Sequence, residues 1–114
     1  YSSLSWVQVG ADIRGAVVGD QSGISVSLSG NGARVAIGAY LNDGAATNAG
    51  HVRVFDYNSS AWVQVGADID GAAAEDNFGR SVSLSINGSR VAIGALKNDD
   101  AGSDAGHVRV FEYV

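Results

Sequence analysis

The chain of 114 residues contains no cysteine, no proline and no methionine. Without cysteine it has neither disulfide bonds nor thiolate metal ligands, and cysteine usage leaves the redox compartment open. Basic residues are few as well: seven Lys and Arg stand against twelve Asp and Glu, for a net charge of −5. This acidity argues against nucleic acid or an anionic membrane as a partner, because both attract basic surfaces. No apolar run approaches the roughly 20 residues of a membrane-spanning helix, so no membrane insertion is expected.

Glycine is abundant, with 16 residues, and 46 % of the chain is hydrophobic, which favours a buried core with many tight turns. The chain also repeats itself: shifted by 56 positions without a gap, it matches itself in four blocks. The blocks are WVQVGADI at 6–13 and 62–69, SVSLS at 25–29 and 81–85, RVAIGA at 34–39 and 90–95, and GHVRVF at 50–55 and 106–111. Repeats of about this length are typical of propellers, solenoids and other arrays.

Each block alternates apolar residues with small or polar ones, which is the pattern of a strand with two different faces. In SVSLS of the first copy, Val26 and Leu28 share one face while serines occupy the other. The Asn-Gly pairs at 31–32 and 87–88 predict hairpins, because both residue types tolerate positive φ. With four strands per unit and no helical periodicity, the sequence predicts an all-β fold of two four-stranded antiparallel β-propeller blades.

The repeat units are offset from the blades by one strand. Repeat 1, residues 1–56, holds the outer strand of a preceding blade plus three strands, and repeat 2, residues 57–114, follows the same plan. We therefore expect a homo-oligomer in which residues 6–13 of one chain complete the blade formed by residues 81–113 of another. A closed ring has six blades from three chains or eight from four, whereas an open filament or a longer polypeptide gives the same pairing.

Short motifs in both copies resemble the FG-GAP repeats of integrin-α-like β-propellers. Phe78-Gly79-Arg80-Ser81-Val82 resembles the opening "FG" of that family, and Gly94-Ala95 resembles its "GAP". Ser22 replaces the phenylalanine in the first copy, and Tyr40 and Leu96 stand where the family has proline. The GHVRVF blocks resemble the strand that follows. The resemblance implies propeller blades in a secreted or surface-exposed protein.

Many FG-GAP repeats carry a calcium-binding loop, rich in Asp and Asn, between the first two strands of the blade. Here that place is taken by residues 30–33, GNGA, and residues 86–89, INGS, which contain no carboxylate. Calcium takes six to eight oxygen ligands, usually with several carboxylates among them. The metal site that the resemblance implies is therefore not expected here, and no cofactor is expected either.

Two further loops are rich in side-chain oxygens. Their residues are Asn42, Asp43 and Asn48 in the first copy and Asn98, Asp99 and Asp104 in the second. As a ligand site each loop offers a few carboxylates without the spacing of a known cation loop. Turn geometry and solubility explain the same composition, and we favour that interpretation.

No set of residues predicts catalysis. His51 and His107 occupy equivalent strand starts, and no Gly-x-Ser-x-Gly elbow provides a nucleophile for them. One structural hydrogen bond per blade is the favoured interpretation. The repeated carboxylates lie a blade apart, too far for a glycosidase pair; they are Asp12, Asp68, Asp20 and Asp76. The repeated arginines are expected either to pair with such carboxylates or to cover strand edges; they are Arg34, Arg90, Arg53 and Arg109.

The leading hypothesis is a non-catalytic structural and interaction module, secreted or surface-exposed, that binds a protein or a glycan. The alternative is a carbohydrate-binding lectin with one site per blade, in which Trp6 and Trp62 stack on sugars; packing at the outer strand is the favoured role for both. Asn58 and Asn87 begin N-glycosylation sequons, which favours an extracellular glycoprotein. No leader is recognisable, which is expected of a mature chain, an excised fragment or a cytosolic protein.

Overall fold

The computed structural model describes residues 5–15, 17, 19–41, 49–72, 75, 77–95 and 106–114. These residues form eight strands and no helix: β1 Ser25–Leu28, β2 Arg34–Ala39, β3 His51–Tyr57, β4 Trp62–Gln64, β5 Ile69–Asp70, β6 Phe78–Leu84, β7 Arg90–Ala95 and β8 His107–Glu112. Every strand pairing is antiparallel. The predicted all-β fold is confirmed.

The strands form two sheets, here called the first blade (β1–β5) and the second blade (β6–β8). The first blade has the order β1-β2-β3-β4, with β5 also paired to β3, and the second has the order β6-β7-β8. The block at 62–69 is two short strands and not one, because the backbone turns at Gly66, whose φ is +71°. Glycine adopts that φ readily because it has no β-carbon.

The hairpins at the Asn-Gly pairs are confirmed, with one difference. Gly32 and Gly88 have positive φ, at +73° and +75°, but neither asparagine does. Instead the Asn31 Oδ1 atom accepts hydrogen bonds from the Ala33 amide and the Ser29 hydroxyl. Asparagine therefore stabilises the loop through its side chain, and glycine alone supplies the left-handed backbone.

The core lies between the two blades, where β6 packs across β1 and β2. Its largest fully buried side chains are Phe78, Ile93 and Val52. Small residues on the facing surface of the first blade allow a close approach, so that polar groups also bond across it. The Leu84 amide donates to the Ser27 hydroxyl at 2.9 Å, and the Ser25 hydroxyl donates to the Gly79 carbonyl at 2.8 Å.

The N-terminal segment, residues 5–15, belongs to neither sheet. It runs beside the first blade, where the Trp62 Nε1 atom donates to the Val9 carbonyl at 2.9 Å. The strand predicted at 6–13 is therefore not formed in this structure. The contact given between the segment and the first blade is made by the Trp62 side chain and not by a backbone ladder.

Candidate functional site

The outer edge of β8 differs from the equivalent edge of β3. In the first blade, β4 and β5 pair with β3 along its outer edge. In the second blade, β8 pairs only with β7 among the strands that the structure describes. One face of β8 is uncovered as well: Val108 and Val110 are 68 % and 64 % exposed, whereas their equivalents Val52 and Val54 are buried and half-buried in the core between the blades. We call the unpaired side of β8 the open edge.

A polar cluster closes the outer side of the first blade around Asp68. The Oδ1 atom of Asp68 accepts hydrogen bonds from Gln64 Nε2 at 2.6 Å and Arg53 Nε at 3.2 Å. Its Oδ2 atom lies 3.7 Å from His51 Nδ1. These four residues, the Asp68 cluster, connect β3 to the outer strand, so the predicted pairing of Arg53 with a repeated carboxylate is confirmed.

Asp68 and His51, the two titrating groups of the Asp68 cluster, both have lowered pKa values, but for different reasons. Burial raises the pKa of the Asp68 carboxyl, but the hydrogen bond from Gln64 and the charges of Arg53 and His51 outweigh it, and the net pKa is lowered. Burial lowers the pKa of the His51 imidazole below 6.5, against the attraction of Asp68. His51 is 2 % exposed and is therefore neutral at pH 7.

His51 should make the fold less stable in mild acid. The unfolded chain binds the imidazole proton near pH 6.5 and the folded chain only at lower pH, so stability falls as pH drops below 6.5. Asp56 and Asp68 have lowered pKa values, so their contribution is lost only below about pH 3.8. We expect the free energy of unfolding in urea to be lower at pH 5.5 than at pH 7. His51→Gln should flatten that step; an unchanged step would exclude His51 as its origin.

The second blade contains half of an equivalent cluster. His107 and Arg109 repeat His51 and Arg53, but no carboxylate of the described residues meets them. The buried Nε2 atom of His107 has no hydrogen-bond partner, and Arg109 stacks over its neighbour Phe111 at 5.4 Å. The contact that His51 makes with Asp68 through its Nδ1 atom thus has no counterpart at His107 among the described residues.

The carboxylate equivalent to Asp68 is Asp12, in the N-terminal segment. Gln8 Nε2 donates to Asp12 Oδ1 at 2.8 Å, just as Gln64 donates to Asp68. Gly10 has a φ of +73°, close to the +71° of Gly66. The N-terminal segment thus keeps the conformation of the outer strand without belonging to a sheet.

Among the described residues, none form a site with the ligands that a calcium ion takes. His51, Asp68 and Asp70 have ligand atoms within 4.8 Å of one another. However, Asp68 already accepts two hydrogen bonds, and one donor is the cationic Arg53, which repels a metal ion. In the β1–β2 loop, where the family resemblance places calcium, the Asn31 side chain accepts bonds from its own loop. Neither place has the carboxylate-rich, unpaired oxygens that calcium takes.

The predicted ligand loops lie outside the described residues. Their residues are Asn42, Asp43, Asn48, Asn98, Asp99 and Asp104. The two sequon asparagines are described and exposed. The Oδ1 atom of Asn58 accepts bonds from Ser60 and Ala61, and that of Asn87 accepts bonds from Ser85 and Ser89. Glycosylation at these residues stays a prediction.

The predicted packing role of Trp62 is confirmed, because its ring lies 5.2 Å from the Tyr57 ring. Trp6 is fully exposed. The sequence did not indicate Gln64 as a partner of Asp68 or Tyr57 as a partner of Trp62, because strand pairing and chain bending bring these side chains together. Their recurrence at Gln8 and Tyr113 is the signal that locates them.

Arg34 forms an ion pair within the first blade and a hydrogen bond to the second, at the loop end of the core. Arg34 donates two hydrogen bonds to Asp56, at 2.6 and 2.9 Å, and a third to the Gly88 carbonyl of the second blade at 2.8 Å. Its guanidinium also lies 5.7 Å from the Tyr113 ring centre. The hydrogen bond from Arg34 lowers the pKa of Asp56. Arg90 lies 3.8 Å from Glu112 at the equivalent place, with both side chains largely exposed.

Two packed antiparallel blades built from one repeated unit define a module of β-propeller type. The model of the FG-GAP repeat family matches residues 14–55 and again residues 66–111. The chain therefore belongs to the FG-GAP repeat family, with two tandem repeats. No curated protein matches it. FG-GAP repeats are typical of extracellular or cell-surface proteins. No helix of the described residues is long and apolar enough to cross a membrane.

Proposed function

We propose that the chain is a non-catalytic structural and interaction module, extracellular or at the cell surface, that associates with further copies of its own repeat by outer-strand exchange. One observation carries the proposal. The N-terminal segment has the conformation of an outer strand and no sheet, while the open edge of β8 lacks an outer strand among the described residues. Each supplies what the other lacks.

The pairing in the first blade gives the register of the exchange. The 56-residue repeat transfers this register to β8: each outer-strand residue is replaced by the one 56 positions earlier, and each β3 residue by the one 56 positions later. The resulting pairs are Gln8 with Phe111, Val7 with Glu112, Trp6 with Tyr113 and Ile13 with Val108. In that register Asp12 of one copy reaches His107 and Arg109 of another. A second Asp68-type cluster then forms between copies, with the Asp12 carboxylate beside the Nδ1 atom of His107, as Asp68 lies beside Nδ1 of His51.

The exposed faces of the two blades are complementary in the same way. Within the chain, Val82 and Leu84 of the second blade pack against the core beside Val52. Their equivalents in the first blade, Val26 and Leu28, are 62 % and 61 % exposed. An exposed Val26 face and an exposed Val108 face on opposite sides of the molecule are suited to a head-to-tail contact. Such contacts close into a ring or continue as a filament, as the rotation between copies decides.

Native mass spectrometry and light scattering of the 114-residue chain test the proposal, and Val7→Pro is the informative variant. Backbone bonds in the first blade run from Val65 to Val54 and from Asn58 to Ala61, so the alternation of an antiparallel ladder makes Val63 a donor to β3. Val7 is its equivalent. Proline removes that donor, and we expect association to weaken about ten- to a hundredfold.

Val7→Thr is the matched control, because it keeps the amide and the branched side chain at a position that is 80 % exposed. We expect it to assemble like the unaltered chain into multiples of 11.6 kDa. A folded chain that stays at 11.6 kDa at every soluble concentration would contradict the proposal. Equal association of the proline and threonine variants would contradict strand exchange.

A further inference from the structure

A cavity of about 200 Å³ opens between the blades beside the open edge. Its lining includes Val65, Gly66 and Ile69 from the outer strand of the first blade, and Phe111 and Tyr113 from the end of the second. The lining is mainly apolar, with charged groups at the margin. The volume is below the 300–1,000 Å³ typical of sites for small-molecule ligands, and it suits a single aromatic side chain.

The first blade shows what fills the equivalent space. There Trp62 lies against Tyr57, with ring centres 5.2 Å apart, and its Nε1 atom donates to the Val9 carbonyl. Gly10 lies between the two rings: a β-carbon on Gly10 would be 2.9 Å from Trp62 Cδ1 and 3.2 Å from Tyr57 Cε1. The absence of a side chain at Gly10 is therefore what makes room for the indole.

Two of these three parts recur at the cavity. Gly66 repeats Gly10, and a β-carbon on it would lie 3.3 Å from Cε1 of Tyr113, the repeat of Tyr57. The indole alone does not recur there. The chain has two tryptophans; Trp62 is in the first blade, and Trp6 is fully exposed in the N-terminal segment.

We propose that this cavity is the receptor for the indole of Trp6 from a second copy of the chain, an inference that rests on the strand exchange proposed above. In the register of that exchange, Trp6 lies opposite Tyr113. The ring then packs on Tyr113 and over Gly66, and its Nε1 atom donates to the Val65 carbonyl, the repeat of Val9. Arg34, which already lies over the Tyr113 ring, borders the same cavity.

This anchoring does something that the backbone ladder does not. Main-chain hydrogen bonds accept any extended segment, so they provide affinity with little discrimination. A buried tryptophan in a fitted cavity is the usual centre of an interface, and it selects a partner by shape and by its one donor. The indole therefore selects another FG-GAP unit of this kind as the partner and fixes the register of the strand at a single position.

The test uses the full chain labelled with 5-fluorotryptophan, which gives separate fluorine NMR signals for Trp6 and Trp62. We expect the Trp6 signal to move as the chain is concentrated into its assembled range, while the Trp62 signal stays in place. Trp6→Ala should weaken association at least about thirtyfold. Tyr113→Ala, at a position that is 59 % exposed, should weaken it too, since it removes the opposite wall of the cavity.

The control is Trp6→Phe, which keeps an aromatic ring and removes the Nε1 donor, and we expect an intermediate loss. Trp6 is fully exposed in the single chain, so none of its variants should alter the unfolding midpoint below the assembled range. Unaltered association of Trp6→Ala would overturn the indole site and leave strand exchange standing. A chain that does not associate at all would overturn both.

Discussion

Gly38→Ala is expected to lower the free energy of unfolding by about 3 kcal/mol or more. Gly38 lies on β2 where the second blade crosses it, and a β-carbon there would overlap the backbone carbonyl of Gly79. That carbonyl accepts the Ser25 hydroxyl across the interface, so it cannot withdraw without separating the blades. Urea unfolding followed by circular dichroism, in the dilute unassembled chain, measures the loss.

The repeat offers a matched control at Gly94, which occupies the same position in the second blade. A β-carbon on Gly94 would meet the Ser81 side chain, which is free to rotate, while the nearest backbone oxygen is 4.0 Å away. We expect Gly94→Ala to change stability by about 1 kcal/mol or less. If the two substitutions cost the same, packing between the blades is not the reason that β2 has glycine.

In the concentration range where the chain associates, Gly94→Ala should have the larger effect of the two substitutions. Gly94 faces the exposed side of the second blade, where the proposed second copy would approach as closely as Gly79 approaches Gly38. Gly94→Ala should then prevent association in a chain that is otherwise stable. Gly38→Ala and Gly94→Ala thus separate contacts within a chain from contacts between chains.

The strand blocks could be predicted because alternation is local. Val26, Leu28 and the serines between them are neighbours in sequence, and β1 formed where they predicted it. β6 was placed less well: it begins at Phe78, three residues before the SVSLS block, with a register shift between Phe78 and Ser81. Gly79, at a φ of +94°, accommodates the irregularity. The Phe78-Gly79 motif gave no indication that β6 runs through Gly79.

The candidate site could be predicted only in part, because its geometry comes from pairing between distant residues. The phase offset of the repeats indicated that residues 6–13 lack a sheet. It did not indicate that Asp68 joins Gln64, Arg53 and His51, since the register between β3 and the outer strand brings them together. Once that cluster is known in one blade, the 56-residue repeat locates its counterpart at Asp12.

Phe78→Ala is expected to lower the free energy of unfolding by about 3–5 kcal/mol. Phe78 is fully buried and packs edge-on against Phe111, with ring centres 6.2 Å apart at 83°. Its amide also donates to the Ala49 carbonyl, so it connects β6 with the first blade. Removing the ring leaves a cavity that the two rigid sheets cannot close. Tryptophan fluorescence in a urea titration, again below the assembled range, measures the change.

Phe78→Leu is the matched variant, because leucine keeps most of the buried volume and should cost about 1–2 kcal/mol. The first copy has Ser22 at this position, so the ring is not a feature of every blade. The Phe78 ring holds the second blade on the first. Phe78→Ala should therefore separate the two blades first, while the hairpins within each sheet persist longest. Hydrogen exchange would show this as early loss of protection across β6. Uniform loss in all strands would instead indicate that the two blades unfold as one unit.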